Sequence, residues 1–154
     1  MHACNIMDTR FHILRPSHSI AEAVKIFHDV SVEEKKRIFE LMVIDEQDRL
    51  VGMLSMYDIL LFIQPKHVHL WSEMDDSEAE RVFDELLERV KSIRVGDIMI
   101  TDVITASPET HVIVLADLMI RHHLRRIPVV DGREVVGIVY ILDLFDQLLT
   151  KKLV

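Results

Sequence analysis

The chain of 154 residues has one cysteine, Cys4, so it cannot close an internal disulfide, and a lone thiol fits a reducing, cytoplasmic setting. It has no apolar run near the roughly 18 residues that suggest a membrane span. The first 15 residues carry charges and lack a secretory apolar core, so no signal peptide is expected. Cys-x-x-Cys and His-Glu-x-x-His, the compact spacings of many zinc sites, are missing. Cys4 has no assigned base, and nothing else supports nucleophilic catalysis, so the chain is not expected to be an enzyme. An excess of positive charge is missing too. The net charge of −8 opposes broad, non-specific nucleic-acid binding but leaves room for a local basic pocket around an anionic ligand.

What is present reads as a compact protein of one domain or two small ones, with 49% hydrophobic and 29% charged residues. The most informative stretch runs from Leu124 to Asp143. Two β-rich runs, Ile127 to Val130 and Val135 to Tyr140, flank Asp131-Gly132, a dipeptide that favours a tight hairpin turn. Pro128 cannot donate a ladder hydrogen bond and belongs near a strand start or on an edge. A helix should begin near Ile141, with Ile141, Leu144, Leu148 and Leu149 on roughly one face. A strand at Val103 to Thr105 and a helix at His111 to His122 precede the hairpin.

This strand-helix-hairpin-helix unit occurs twice. Ile6-Met7 and Arg15 to Ile20 answer Ile98-Met99 and Ser107 to Val112, each 92 residues on, and the offset continues from Ala23, Ile26 and Phe27 to Leu115, Leu118 and Met119. Leu41 to Asp45 answers Ile127 to Asp131 at an offset of 86, so the first copy holds six extra residues between helix and hairpin. Gly52 to Asp58 answers Gly137 to Asp143 at an offset of 85. Such units can lack a core of their own until they pack on their copy.

In chain order, a strand is expected at Arg10 to Leu14, ended by Pro16, and then a helix capped by Ser17 or Ser19 with Ile20, Ala23, Val24, Ile26 and Phe27 on its apolar side. Ser31 with Glu34 has capping-box spacing and predicts a fresh helix start, giving a helical insertion over about 31–40. The hairpin Leu41 to Ile44 and Leu50 to Leu54 leads into a helix from Met56 to Ile63, stopped by Gln64-Pro65. Residues 64–92 form a linker. Its first part, Lys66 to Trp71, is irregular, and Ser77 with Glu80 opens a helix over 77–92 whose Phe83, Leu86, Leu87 and Val90 recur at helical spacing, with Ile93 following.

The doubled pattern, Pro-Val-Val-Asp at Pro128 to Asp131, Gly-x-x-Ser-x-x-Asp at Gly52 to Asp58 and the Asp97-Ile98-Met99 opening together resemble a pair of cystathionine-β-synthase-type (CBS) domains, the Bateman module. The resemblance covers 4–63 and 93–150. The first copy departs from it, with Met42 where the proline would stand and with the insertion. It implies an α+β, sandwich-like fold of tandem β-α-β-β-α repeats, related by a pseudo-twofold axis and packed through their small sheets, here with an extra linker helix. It also implies a regulatory site for an adenosine-containing nucleotide (AMP, ADP, ATP or a relative) in the cleft between the repeats.

Carried over residue by residue, the resemblance gives Asp58 and Asp143 to the ribose hydroxyls and Ser55 to phosphate, beside free amides at a helix start. Tyr140 replaces the corresponding hydroxyl in the second copy. His12-Ile13 and Ile104-Thr105 resemble the segments whose backbone reads the adenine edge. Arg125 and Arg126 fit the basic pair that faces phosphate, a task suited to guanidinium groups. The first copy has Phe39-Glu40 there. The expectation is one complete site, with Ser55, Asp58, Arg125, Arg126, His12 and Ile13, and a weaker one, with Ile104, Thr105, Tyr140 and Asp143.

The plainer readings are that Ser55 and Asp58 cap a helix, that the arginines pair with surface carboxylates, and that Tyr140 packs. The nine histidines, with His67-x-His69 and His122-His123 closest together, read as surface or packing residues before metal ligands. The leading function is therefore a nucleotide-sensing regulatory module, expected to form a homodimer and to act on a separate effector protein, with no required cofactor and no membrane or nucleic-acid partner. A ligand-free structural dimerisation module is the alternative, followed by a metal- or nucleic-acid-binding variant.

Overall fold

The computed structural model describes residues 1–35, 37–64 and 71–154. Of the stretch 66–71 only Trp71 is among them, so the pair His67 and His69 and most of the expected irregular run lie outside the described residues. The elements are α1 (Ala3–Ile6), β1 (Ile13–Leu14), α2 (Ile20–Glu33), β2 (Glu40–Ile44), β3 (Leu50–Ser55) and α3 (Met56–Ile63). They continue with α4 (Asp76–Val90), α5 (Val95–Ile98), α6 (Val112–His122), β4 (Arg126–Asp131) and β5 (Glu134–Tyr140). The last helix comprises α7 (Ile141–Phe145), a π-helical stretch at Asp146–Thr150 and α8 (Lys151–Leu153). The class is α+β with small sheets, as expected.

One sheet has the order β1-β2-β3, with β1 parallel to β2 through Ile13–Met42 and Leu14–Val43. The other is the antiparallel pair β4-β5, in register from Arg126–Tyr140 to Val129–Gly137 and shifted by a bulge before Val130–Val135. Asp131 pairs with Glu134, so the tight turn is Gly132-Arg133, one residue later than the dipeptide suggested. Gly132 sits there at φ 66, a left-handed geometry that costs glycine nothing.

The chain divides into two units that cut across the repeats. The first contains Met1–His12, Ile44–Leu50 and Asp102–Val154; the second contains Ile13–Val43 and Val51–Thr101. In the first unit Ala3 is fully buried among Val112, Leu115, Met119, Ile127, Val129 and Val139. In the second Val95, its equivalent 92 residues on, is fully buried among Leu14, Ile20, Phe27, Val43 and Leu54. The lead of each repeat thus plugs the core that holds the other repeat's hairpin. Backbone bonds repeat the exchange: Asp8 with Ile138 (2.8 and 3.0 Å) in one unit, Met53 with Ile100 (both 2.8 Å) in the other. Glycine permits both approaches. A Cβ on Gly137 would stand 2.6 Å from the Met7 sulfur, and one on Gly52 would stand 2.7 Å from that of Met99.

Several local expectations are corrected. Ser31 does not start a helix: α2 runs unbroken to Glu33, carried by the buried stripe Ile20, Ala23, Phe27 and Val30, and the Ser31 hydroxyl accepts from the Ile38 amide (3.3 Å). Val24 lies outside that stripe and is exposed. The strand expected at Arg10 to Leu14 shrinks to Ile13–Leu14, since Asp8 turns the chain by accepting from the Arg10 amide (2.9 Å). The strand expected at Val103 to Thr105 becomes a single parallel bridge, Ala106 to Val129, cut short by the turn in which Thr110 accepts from the Ser107 amide (3.0 Å). The linker helix is capped by Asp75, which accepts from Glu78 (2.8 Å), rather than by Ser77; a carboxylate is the stronger acceptor at the positive end of a helix. It ends at Val90, two residues before Ser92. On the last helix Leu144 is buried, whereas Ile141 and Leu149 are exposed.

Candidate functional site

The strand β3 delivers Ser55 to the start of α3 in an extended conformation, the geometry of an N-cap residue. Ser55 and Asp58 then form a reciprocal capping box. The Ser55 hydroxyl accepts from the Asp58 amide (3.0 Å), and the Ser55 amide donates to Asp58 Oδ2 (2.9 Å). Met56, the first helical residue, donates its amide to the Phe39 carbonyl (2.8 Å). Capping does not exhaust these groups. A hydroxyl that accepts from an amide still has its own proton to donate, and a carboxylate offers about four lone-pair sites. Both side chains are half-buried, so the pair offers a hydroxyl donor and a carboxylate acceptor at a fixed spacing.

The equivalent junction in the second copy is built differently. Tyr140 caps α7 without a side-chain cap bond, and Asp143 is exposed in the first turn. The Ile141 amide donates to the Arg125 carbonyl (2.9 Å), as Met56 does to Phe39. Arg126 is the cross-strand partner of Tyr140, and its guanidinium lies over the phenol ring, 5.6 Å from the centroid. Arg126 is half-buried and Arg125 exposed.

Ile13 pairs within β1, and His12, half-buried, immediately precedes it. Ile104 is half-buried and Thr105 exposed, both outside regular strand. The geometry thus brings Ser55 together with Asp58, and Arg126 together with Tyr140. Ser55, Asp58 and Ile13 belong to the second unit; His12, Ile104, Thr105, Arg125, Arg126, Tyr140 and Asp143 belong to the first.

Among the described residues no group of three or more His, Cys, Asp or Glu side chains is placed to hold a metal ion. His122 and His123 are exposed, with His123 ending α6 in a left-handed conformation. Reading the histidines as surface or packing residues before metal ligands missed two with definite work. His18 Nδ1 accepts from the Arg15 amide (2.8 Å), and His111 Nδ1 accepts from the Ile113 amide (3.2 Å). The signal was in the repeat: at the same offset they stand opposite Thr110 and Ser19, residue types suited to turns and caps.

No described helix is long and apolar enough to cross a membrane. The CBS domain profile matches residues 3–65 and 95–150. Among curated relatives, the CBS domain-containing protein CBSX1, chloroplastic, of Arabidopsis thaliana is 27% identical over 135 residues, covering 83% of this chain and 55% of its own length. The chain spans about half the length of the chloroplastic relatives it matches. Among solved structures, CBSX2 in complex with AMP is 25% identical with a TM-score of 0.70, covering 98% of both chains. The CBS domain of a CBS domain-containing membrane protein from Sphaerobacter thermophilus is 28% identical with a TM-score of 0.71, covering 97% of this chain and 88% of that one. With both repeats matched, the chain belongs to the CBS domain family.

Proposed function

We propose that the chain is a regulatory module that binds an adenosine-containing nucleotide and, so loaded, modulates a separate partner protein. The observation that carries this reading is the Ser55–Asp58 pair at the β3–α3 junction, in a chain similar to CBSX2, a protein solved with AMP. Asp58 is assigned to the ribose, Ser55 to phosphate, and the backbone at His12 and Ile13 to adenine. Arg125 and Arg126 are assigned as the phosphate-facing cations. Ile104, Thr105, Tyr140 and Asp143 make the weaker second set, because Tyr140 brings no cap hydroxyl bond and is turned to Arg126. The repeats 4–63 and 93–150, with the linker 64–92, act as one homodimerising module, without catalysis of its own and in the cytoplasm.

A second reading has its own support. The capping box satisfies Ser55 and Asp58 internally, as a ligand-free dimerisation module would need. Isothermal calorimetry with AMP separates the two. Saturable heat from wild type that is lost in Asp58→Asn supports the nucleotide reading, since Asn keeps the cap acceptor and loses the charge. No heat with AMP, ADP, ATP or adenosine favours the structural module.

A further inference from the structure

Each unit is closed by a clasp in which a lead segment bonds to the turn before a long helix. In the second unit Val95 donates to the His18 carbonyl (2.8 Å), Gly96 to Pro16 (3.0 Å), and Ile20 to Ile93 (2.7 Å). In the first unit the equivalent bonds run from Ala3 to Thr110 (2.7 Å), from Cys4 to Pro108 (3.0 Å), and from Val112 to Met1 (3.1 Å). Two side-chain acceptors hold each turn in shape. In the second unit they are His18 Nδ1, accepting from Arg15 (2.8 Å), and Ser19 Oγ, accepting from Glu22 (3.1 Å). In the first they are Thr110 Oγ1, accepting from Ser107 (3.0 Å), and His111 Nδ1, accepting from Ile113 (3.2 Å). Each clasp therefore uses one hydroxyl and one imidazole, with their places exchanged.

The two chemistries respond differently to acid. A hydroxyl accepts at any pH near neutrality. An imidazole nitrogen accepts only while it lacks a proton, and both nitrogens of the imidazolium are donors. Imidazole is also the side chain that ordinarily changes charge between pH 5 and 8. Near His18 stand Arg15 of its own turn and Arg94, whose Nη1 donates to the Ser17 carbonyl (3.3 Å), while Lys91 meets the following helix through its backbone carbonyl and pairs its ammonium with Glu88 (2.7 Å). The nearby carboxylates are engaged, Glu22 with the Ser19 hydroxyl (3.2 Å) and Asp97 with the Arg94 amide (3.1 Å). His111 meets the His2 ring edge-on at 5.5 Å. Glu109 is the one carboxylate in its turn, and the first turn of α6 has no acidic residue. A cation there also opposes the positive end of the helix.

We propose that the two clasps form a proton-sensitive latch: protonating His18 and His111 breaks one turn bond in each and loosens the lead segments from both units. This device is independent of nucleotide binding. Native-state hydrogen exchange on the full chain, corrected for intrinsic rates and compared at about pH 7.5 and 5.5, tests it. Protection of the Ala3, Cys4, Val95 and Gly96 amides is expected to fall roughly five-fold or more on acidification, the size of one lost hydrogen bond, relative to the Met119 amide inside α6. The double variant His18→Thr/His111→Ser takes at each position the residue of the other copy, keeps both acceptors, and should lose this acid response. Unchanged protection in wild type, or an undiminished response in the variant, overturns the proposal. Nitrogen NMR of the wild-type imidazoles at the higher pH gives an independent reading: both rings must carry the proton on Nε2, and a proton on Nδ1 of either ring equally overturns it.

Discussion

At the scale of single residues, the question is what a side chain does once its capping duty is met. Ser55 and Asp58 cap each other, so Ser55→Ala should lower stability by about 0.5–2 kcal/mol in urea titrations whether or not a ligand binds. Binding separates the two copies: Asp58→Ala should abolish AMP binding and Asp143→Ala should leave it nearly intact, because the first copy caps its helix with the small Ser55 hydroxyl where the second has the bulky Tyr140, which makes no side-chain cap bond. Two equivalent sites per chain by titration would sink that assignment. Replacing Arg125 and Arg126 by Gln should weaken AMP binding and flatten its salt dependence. A charge-assisted hydrogen bond is worth about 1.5–3 kcal/mol, so each one lost should cost roughly ten- to 150-fold in affinity, and unchanged calorimetric affinity removes the clamp. The sequence displayed Ser55, Asp58 and the arginines through motif and repeat. It did not display the Arg126–Tyr140 stacking, which depends on cross-strand register, nor the imidazole acceptors, since histidine is a rarer cap than serine or threonine.

At the scale of elements, the two hairpins test the exchanged leads. A Cβ on Gly52 would meet the Ile100 carbonyl oxygen at 2.9 Å besides the Met99 side chain, and backbone cannot swing aside. On Gly137 it would meet only Met7 side-chain atoms. Gly52→Ala should therefore cost about 1–3 kcal/mol, and Gly137→Ala distinctly less, by chemical denaturation. The turn after β2 has its own acid signature. Amides of Arg49 and Gln47, with the Arg49 guanidinium, hold the Asp45 carboxyl below its ordinary range against some desolvation. Its folded value is lowered, so its contribution is complete above the ordinary carboxylate pKa and is lost only as pH falls through the folded value. Asp45→Asn should thus flatten stability below about pH 4 and leave the imidazole range untouched. Helix positions were legible because burial follows the period of the apolar residues, as in Ile20, Ala23, Phe27 and Val30. Short parallel pairings were not, because Ile13–Leu14 and Ala106 are defined by distant partners rather than by local pattern.

At the scale of the whole molecule, large apolar side chains remain uncovered in both units: Tyr57, Leu60 and Leu61 on α3, Leu142 and Phe145 on α7. Equivalent positions are uncovered twice, as the proposed dimer requires. Light scattering should give a dimer mass, and Leu60→Lys/Leu142→Lys should shift it to monomer; a monomer at every wild-type concentration removes the proposal. The exchange of leads has a further consequence for how the chain is made. Asp8 finds its backbone partner at Ile138, so on a ribosome the first repeat's lead waits until the second repeat's hairpin has been made. The second repeat's lead, by contrast, meets Met53 already formed. Closing so long a loop carries a high entropic cost before any contact rewards it, and folds rich in such contacts form slowly. The second unit can thus assemble during translation, while the first stays open until its hairpin emerges, and that interval is when the chain most needs shielding from its neighbours.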